Sequence, residues 1–311
     1  MDEITWGLPV VLDLFFAGLA AGAFCFAVLM SRRDGKGFLA CARAGALLAP
    51  VSVSFGLCML VLDLRYKTRF WFTMTVFNAH SPMSLGVWLM TLFSTIAALY
   101  AIFWIPAGVR ERIPVIGKWP LWSRQGIRDL LGRVGFPVAI LVSIYTGVLL
   151  SSTSIPVWRN LALPALFCFS SMATGFAAGL LLALLFSPGQ RQEIMAGPFR
   201  WLQGAYRVLL PTYFLAILVY VLLFLTQGMR WQEVLLLITG WNGLIWWLGV
   251  VGVGIVLPLF LVFTRAKESL SRVFVVLGSL LVGGVLLRLV LVFSGQEQLI
   301  MATAYRLMHM P

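Results

Sequence analysis

The sequence predicts an all-α integral membrane protein with eight transmembrane helices, arranged as two parallel four-helix bundles. Three observations predict it. Of the 311 residues, 61% are hydrophobic and only 11% charged, a balance too apolar for a soluble domain. The apolar residues gather in runs of about 20, the length that crosses a hydrocarbon core of roughly 30 Å. Polar and apolar residues do not alternate within those runs, as they would in barrel strands. Backbone groups in lipid must then be satisfied inside each segment, which requires helices.

The first run, 8–30, opens on Leu8-Pro9 and stops before Arg32 and Arg33. The acidic start, Met1-Asp2-Glu3, lacks the basic region of a cleaved signal, so this span is expected to be retained. The second, 41–63, closes on Asp63, and the third, 83–105, is entered through Asn78-Ala79-His80-Ser81-Pro82. A long basic connection, 105–130, precedes the fourth run, 131–152. The fifth, 161–186, begins around Leu163-Pro164, and the connection 187–206 leads to the sixth, 207–227. Runs 241–264 and 273–294 complete the set.

Gly18-Leu19-Ala20-Ala21-Gly22 in span one is echoed by Gly175-Phe176-Ala177-Ala178-Gly179 in span five, each after a Leu-Pro. Four spans lie between the two starts, so the copies run the same way, and 1–152 and 153–311 read as two four-helix units. The alternative is that Gly and Ala recur wherever helices approach closely. No segment outside the spans is long enough to fold as a catalytic domain, so substrate chemistry in water belongs to another subunit.

The net charge of +12 is not a nucleic-acid signature, because most Lys and Arg lie between spans. One side carries sixteen of them, including Arg32, Arg33, Lys36, Arg191 and Arg272; the other carries six, including Arg65 and Arg69. The rich side is expected to be cytoplasmic. In a bacterial inner membrane that puts both termini and the loop between Asp63 and Ser84 in the periplasm. Cys25, Cys41, Cys58 and Cys168 include no Cys-x-x-Cys pair, so neither a disulfide framework nor a metal cluster is indicated.

Haem and bound metal are not expected. A buried b-type haem needs facing axial histidines, and the two present are His80 in a loop and His309 near the C-terminus. What stands out is polar. Asp13 lies within an apolar span, about 7–8 Å deep at ~1.5 Å per residue, and a carboxylate there is costly. Asp63 ends span two, and His80 precedes span three. Asp13, Asp63 and His80 are therefore candidate proton-exchanging groups at one depth, with Asn78, Ser81, Arg65 and Trp71 as candidate binding residues. Titratable groups under an aromatic-rich loop suit a quinone, whose ring and tail need a greasy cleft and whose oxygens need proton partners. The ordinary alternatives are an interfacial pair of Asp63 with Arg65, and a helix-capping role for Asn78, His80 and Ser81. Arg288, inside span eight, reads as a residue holding carbonyls at a helix break or as a proton-handling group. Asp129 and Arg133, at the start of span four, read as a snorkelling or paired interfacial set, with proton handling as the other reading.

The sequence resembles the NrfD/polysulfide reductase membrane-anchor family. Carrying the resemblance are Trp6-Gly7-Leu8-Pro9 before Asp13, Leu62-Asp63-Leu64 leading to Arg69-Phe70-Trp71, and above all Ser81-Pro82-Met83-Ser84-Leu85-Gly86-Val87-Trp88. Trp246-Trp247-Leu248-Gly249 with Pro258, and Leu287-Arg288 through Gly295-Gln296, continue it. The resemblance implies a haem-free anchor of two four-helix bundles that binds menaquinone or ubiquinone near Asp13, Asp63, Asn78, His80 and Ser81. It implies a ferredoxin-like iron–sulfur subunit docked on the outer face and a catalytic redox subunit, a molybdopterin enzyme or a multihaem cytochrome. The competing readings are a purely structural anchor and a redox-coupled proton translocator.

Overall fold

The computed structural model describes residues 7–63, 75, 77, 78, 80–106, 125–153, 155, 157–226, 240–264 and 269–308. Among these residues the chain is helical and without strands, and eight helices are long and apolar enough to cross a membrane. They are α1 (Leu8–Ser31), α2 (Lys36–Asp63), α3 (Pro82–Ile102), α4 (Gln125–Ser151), α5 (Leu163–Phe186), α6 (Arg200–Thr226), α7 and α8 (Leu270–Met308). α7 runs in three continuous pieces, Gly240–Leu244, a π-helical Ile245–Val256 and Leu257–Phe263.

Several helices outrun their apolar stretches. α2 begins at Lys36, α4 at Gln125 and α6 at Arg200, while α8 continues to Met308. An apolar run marks the hydrocarbon crossing; beyond it, water and headgroups tolerate charged residues on an unbroken helix. The widened turns have a local cause. Pro258 cannot donate a backbone hydrogen bond, and α7 is π-helical up to the turn before it; Pro198 sits inside a second π-turn, Met195–Phe199, ahead of α6.

α1 is the centre of the molecule, packed against α2, α4, α5 and α8. The two echoed small-residue runs meet there. Gly18 lies against Ser171, Gly22 against Gly175, and Phe26 against Gly179. Both numbers rise together, so α1 and α5 run parallel. Side chains at Gly22 or Gly175 would collide with the facing backbone, which explains why α1 and α5 carry glycine there.

Arginine and aromatic side chains tie the ends. Arg191 Nε donates to Leu184 O at 3.0 Å, and Arg272 donates to Leu261 O and to Thr264 O, so the last carbonyls of α5 and α7 are satisfied by side chains. At the opposite end the approach to α5 is buried rather than looped out. Trp158 Nε1 donates to Leu291 O at 2.6 Å, Asn160 Nδ2 to Tyr220 O at 2.9 Å, and the Tyr220 hydroxyl to Val157 O at 2.9 Å. Those bonds lock this segment to α6 and α8.

Candidate functional site

Asp13 sits in the second turn of α1, only 6% exposed, and its Oδ1 has no hydrogen-bond partner among the described residues. A buried carboxylate oxygen left unpaired is unusual, because the desolvation of a polar group is normally offset by a partner. The surrounding helices make room for it. Gly56 of α2 faces it, and a Cβ there would come within 3.3 Å of both Asp13 O and Oδ1. Asp63 at the exposed end of α2 and Tyr145 of α4 both lie close enough to interact with Asp13 electrostatically.

Tyr145 explains part of the Ser81–Trp88 motif. Its ring fills the space beside Gly86 of α3, where any Cβ would overlap the phenol. Glycine at 86 is what lets the Tyr145 ring lie against α3. One turn along α2 from Gly56, buried Ser52 opens onto a cleft of about 460 Å³ between α1, α2, α5 and α8. Apart from Ser52 its walls are apolar, with Phe15, Phe16, Leu19, Leu48 and Leu281 among them.

The other expected residues divide. Ser81 caps α3: its Oγ accepts from Ser84 N at 3.4 Å, and Pro82 follows at the first helical position. Asn78 Oδ1 accepts from His80 N at 3.0 Å, and Asn78 N donates to Ser84 Oγ at 3.0 Å. Asn78 and His80 are exposed members of this capping network. Phe77 meets Trp88 edge-on, with ring centroids 6.1 Å apart. Arg65 and Trp71 lie outside the described residues.

Arg288 is fully buried in an unbroken stretch of α8, so no helix break requires it. Its guanidinium donates to Ser170 Oγ at 2.5 Å, Ser171 Oγ at 3.1 Å and Gly284 O at 2.9 Å. It also lies over the rings of Phe167 at 5.1 Å and Phe15 at 5.8 Å. It fastens α8 to α5 behind α1. Asp129 pairs with Arg128 at 3.2 Å, and Arg128 also stacks on Trp104; Arg133 is exposed on the same helix. Among the described residues, no three His, Cys, Asp or Glu side chains gather as metal ligands.

Gly56 and Tyr145 carry no signal in the sequence that would single them out. A tyrosine inside a span resembles core or belt, and its partners at Gly86 and Asp13 are distant along the chain.

The family profile described as polysulphide reductase, NrfD matches residues 1–300. The chain belongs to that family. Among its NrfD-family relatives is the C chain of polysulfide reductase from Wolinella succinogenes, 31% identical over 95% of both proteins. Protein NrfD of Escherichia coli is 27% identical over 95% of this chain and 96% of its own. The C subunit of selenate reductase from Mesobacillus selenatarsenatis is 24% identical over 88% of this chain and 71% of its own.

Proposed function

We propose that this NrfD-family chain is the quinone-reactive membrane subunit of a respiratory reductase complex. It exchanges electrons between menaquinone or ubiquinone in the membrane and a ferredoxin-like iron–sulfur subunit at the Asp13 end. Beyond that partner stands a catalytic redox subunit, a molybdopterin enzyme or a multihaem cytochrome. The single observation that carries the reading is Asp13 Oδ1: a buried, unpartnered carboxylate oxygen among α1, α2 and α4. Two relatives, named as components of a polysulfide reductase and a selenate reductase, support it.

The residues present fit such a ligand. A bound quinol supplies two electrons and two protons on oxidation. Asp13 Oδ1 offers an acceptor for a quinol hydroxyl, and the Tyr145 hydroxyl offers a second polar contact. Asp63, exposed at the end of α2, hands the proton on to water. The cleft beside Ser52 provides apolar walls for an isoprenoid tail. The charge asymmetry supports periplasmic termini in a bacterial inner membrane. The parallel register of α1 and α5 supports 1–152 and 153–311 as two four-helix units.

The test is Asp13→Asn in the purified complex. Quinol-linked turnover should fall about a hundredfold or more, while an artificial donor still drives the catalytic subunit. Unchanged quinol turnover would leave only a tethering role for this chain and overturn the reading.

A further inference from the structure

The end of the molecule opposite Asp13 has a different character. Among the described residues, ten Lys and Arg lie at or near that end, Arg32, Arg33, Lys36, Arg191 and Arg272 among them, against three acidic residues, Asp34, Asp129 and Glu193. At the Asp13 end, Arg159 and Arg306 stand against Asp63 and Glu297. Among the described residues the positive excess therefore lies at the basic end. A cavity of about 380 Å³ opens there between the α5–α6 connection and the first residue of α8, lined by Arg191, Gln192, Met195, Ala196 and Leu270.

Three features make this more than a surface hollow. The wall is anchored, since Ile194, Pro198 and Phe199 of the connection are buried. Arg191 is held in place through its Nε bond to Leu184 O at 3.0 Å. Its two terminal nitrogens have no partner among the described residues, and no carboxylate there pairs with it, so four donors remain for an anion. The lining is also amphiphilic: Arg191 and Gln192 give the polar part, and Met195, Ala196 and Leu270 the apolar part. Leu185 and Phe186 at the end of α5 are exposed, and so is Leu270, which lines the cavity at the start of α8. Such apolar surface at this end of the molecule suits acyl chains, which a free anion lacks.

We propose that this cavity binds the headgroup of an anionic phospholipid. Its phosphodiester accepts hydrogen bonds from the Arg191 guanidinium, and its chains descend along the flanking apolar residues. Basic pockets between spans at the positive end of a membrane protein recognise anionic headgroups by this combination of charge and grease.

The experiment measures thermal stability of the full chain in neutral detergent, with added phosphatidylglycerol, phosphatidylcholine or inorganic phosphate. Phosphatidylglycerol alone should raise the Tm of the natural chain. Arg191→Gln should weaken the apparent phosphatidylglycerol affinity about fivefold. Because Arg191 also closes α5, Gln192→Glu is the second variant. It touches no cap, so the lipid-free Tm should be unchanged while the phosphatidylglycerol response is lost. An equal response to phosphatidylcholine or to inorganic phosphate overturns the proposal. So does a phosphatidylglycerol response that both variants retain in full.

Discussion

The contact between α1 and α5 sets the geometry on which everything else hangs, and Gly22→Ala tests it. The new Cβ would fall on Ser171 O and lie 2.9 Å from Gly175 Cα, and both are backbone atoms of α5. Neither can rotate away, so the two helices must separate. Overpacking of this kind costs about 1–3 kcal/mol. Replacing glycine inside a helix also returns roughly 1 kcal/mol of propensity, which would mask part of the loss. Gly278→Ala in α8 isolates that gain, because nothing lies within 4 Å of its Cβ position. The expected result is Gly278→Ala slightly more stable than the parent, and Gly22→Ala about 1–3 kcal/mol below Gly278→Ala. Reversible unfolding in mixed detergent micelles, followed by circular dichroism, reads both midpoints. Equal midpoints for the two variants would refute the close backbone contact and, with it, the parallel register.

Two further variants address the ends of the bundle. Trp158→Phe removes the donor to Leu291 O, which keeps only its partner within α8, so stability should fall by about 0.5–1.5 kcal/mol in the same micelle assay. Ser81→Ala should cost about 1 kcal/mol through loss of the α3 cap. If Ser81 acts only as a cap, the KM for quinol will not move.

The positions of the spans were legible in the sequence because lipid imposes a length and a composition on anything that crosses it. The helix ends were not, since nothing in hydropathy marks where a helix stops once it has left the hydrocarbon; Lys36 and Gln125 begin helices well before the apolar runs do. Asp13 stood out because a lone carboxylate in an apolar run is expensive. What surrounds it did not stand out. Gly56, Gly86 and Tyr145 are ordinary span residues until the chain brings them together, and their meaning is in distances between helices. Arg288 was visible as an anomaly, but its partners Ser170 and Ser171 are hydroxyls that read as small interface residues. The small-residue echo was visible too, although only the structure shows that its two copies face each other.

The most direct measurement is where a quinone binds. A photoactivatable short-chain quinone, cross-linked to the natural chain and mapped by peptide mass analysis, should label peptides containing Asp13, Gly56 or Tyr145, and excess unmodified quinone should suppress the label. Labelling confined to α6–α8, or labelling that competitor quinone does not reduce, would contradict a quinone site at Asp13.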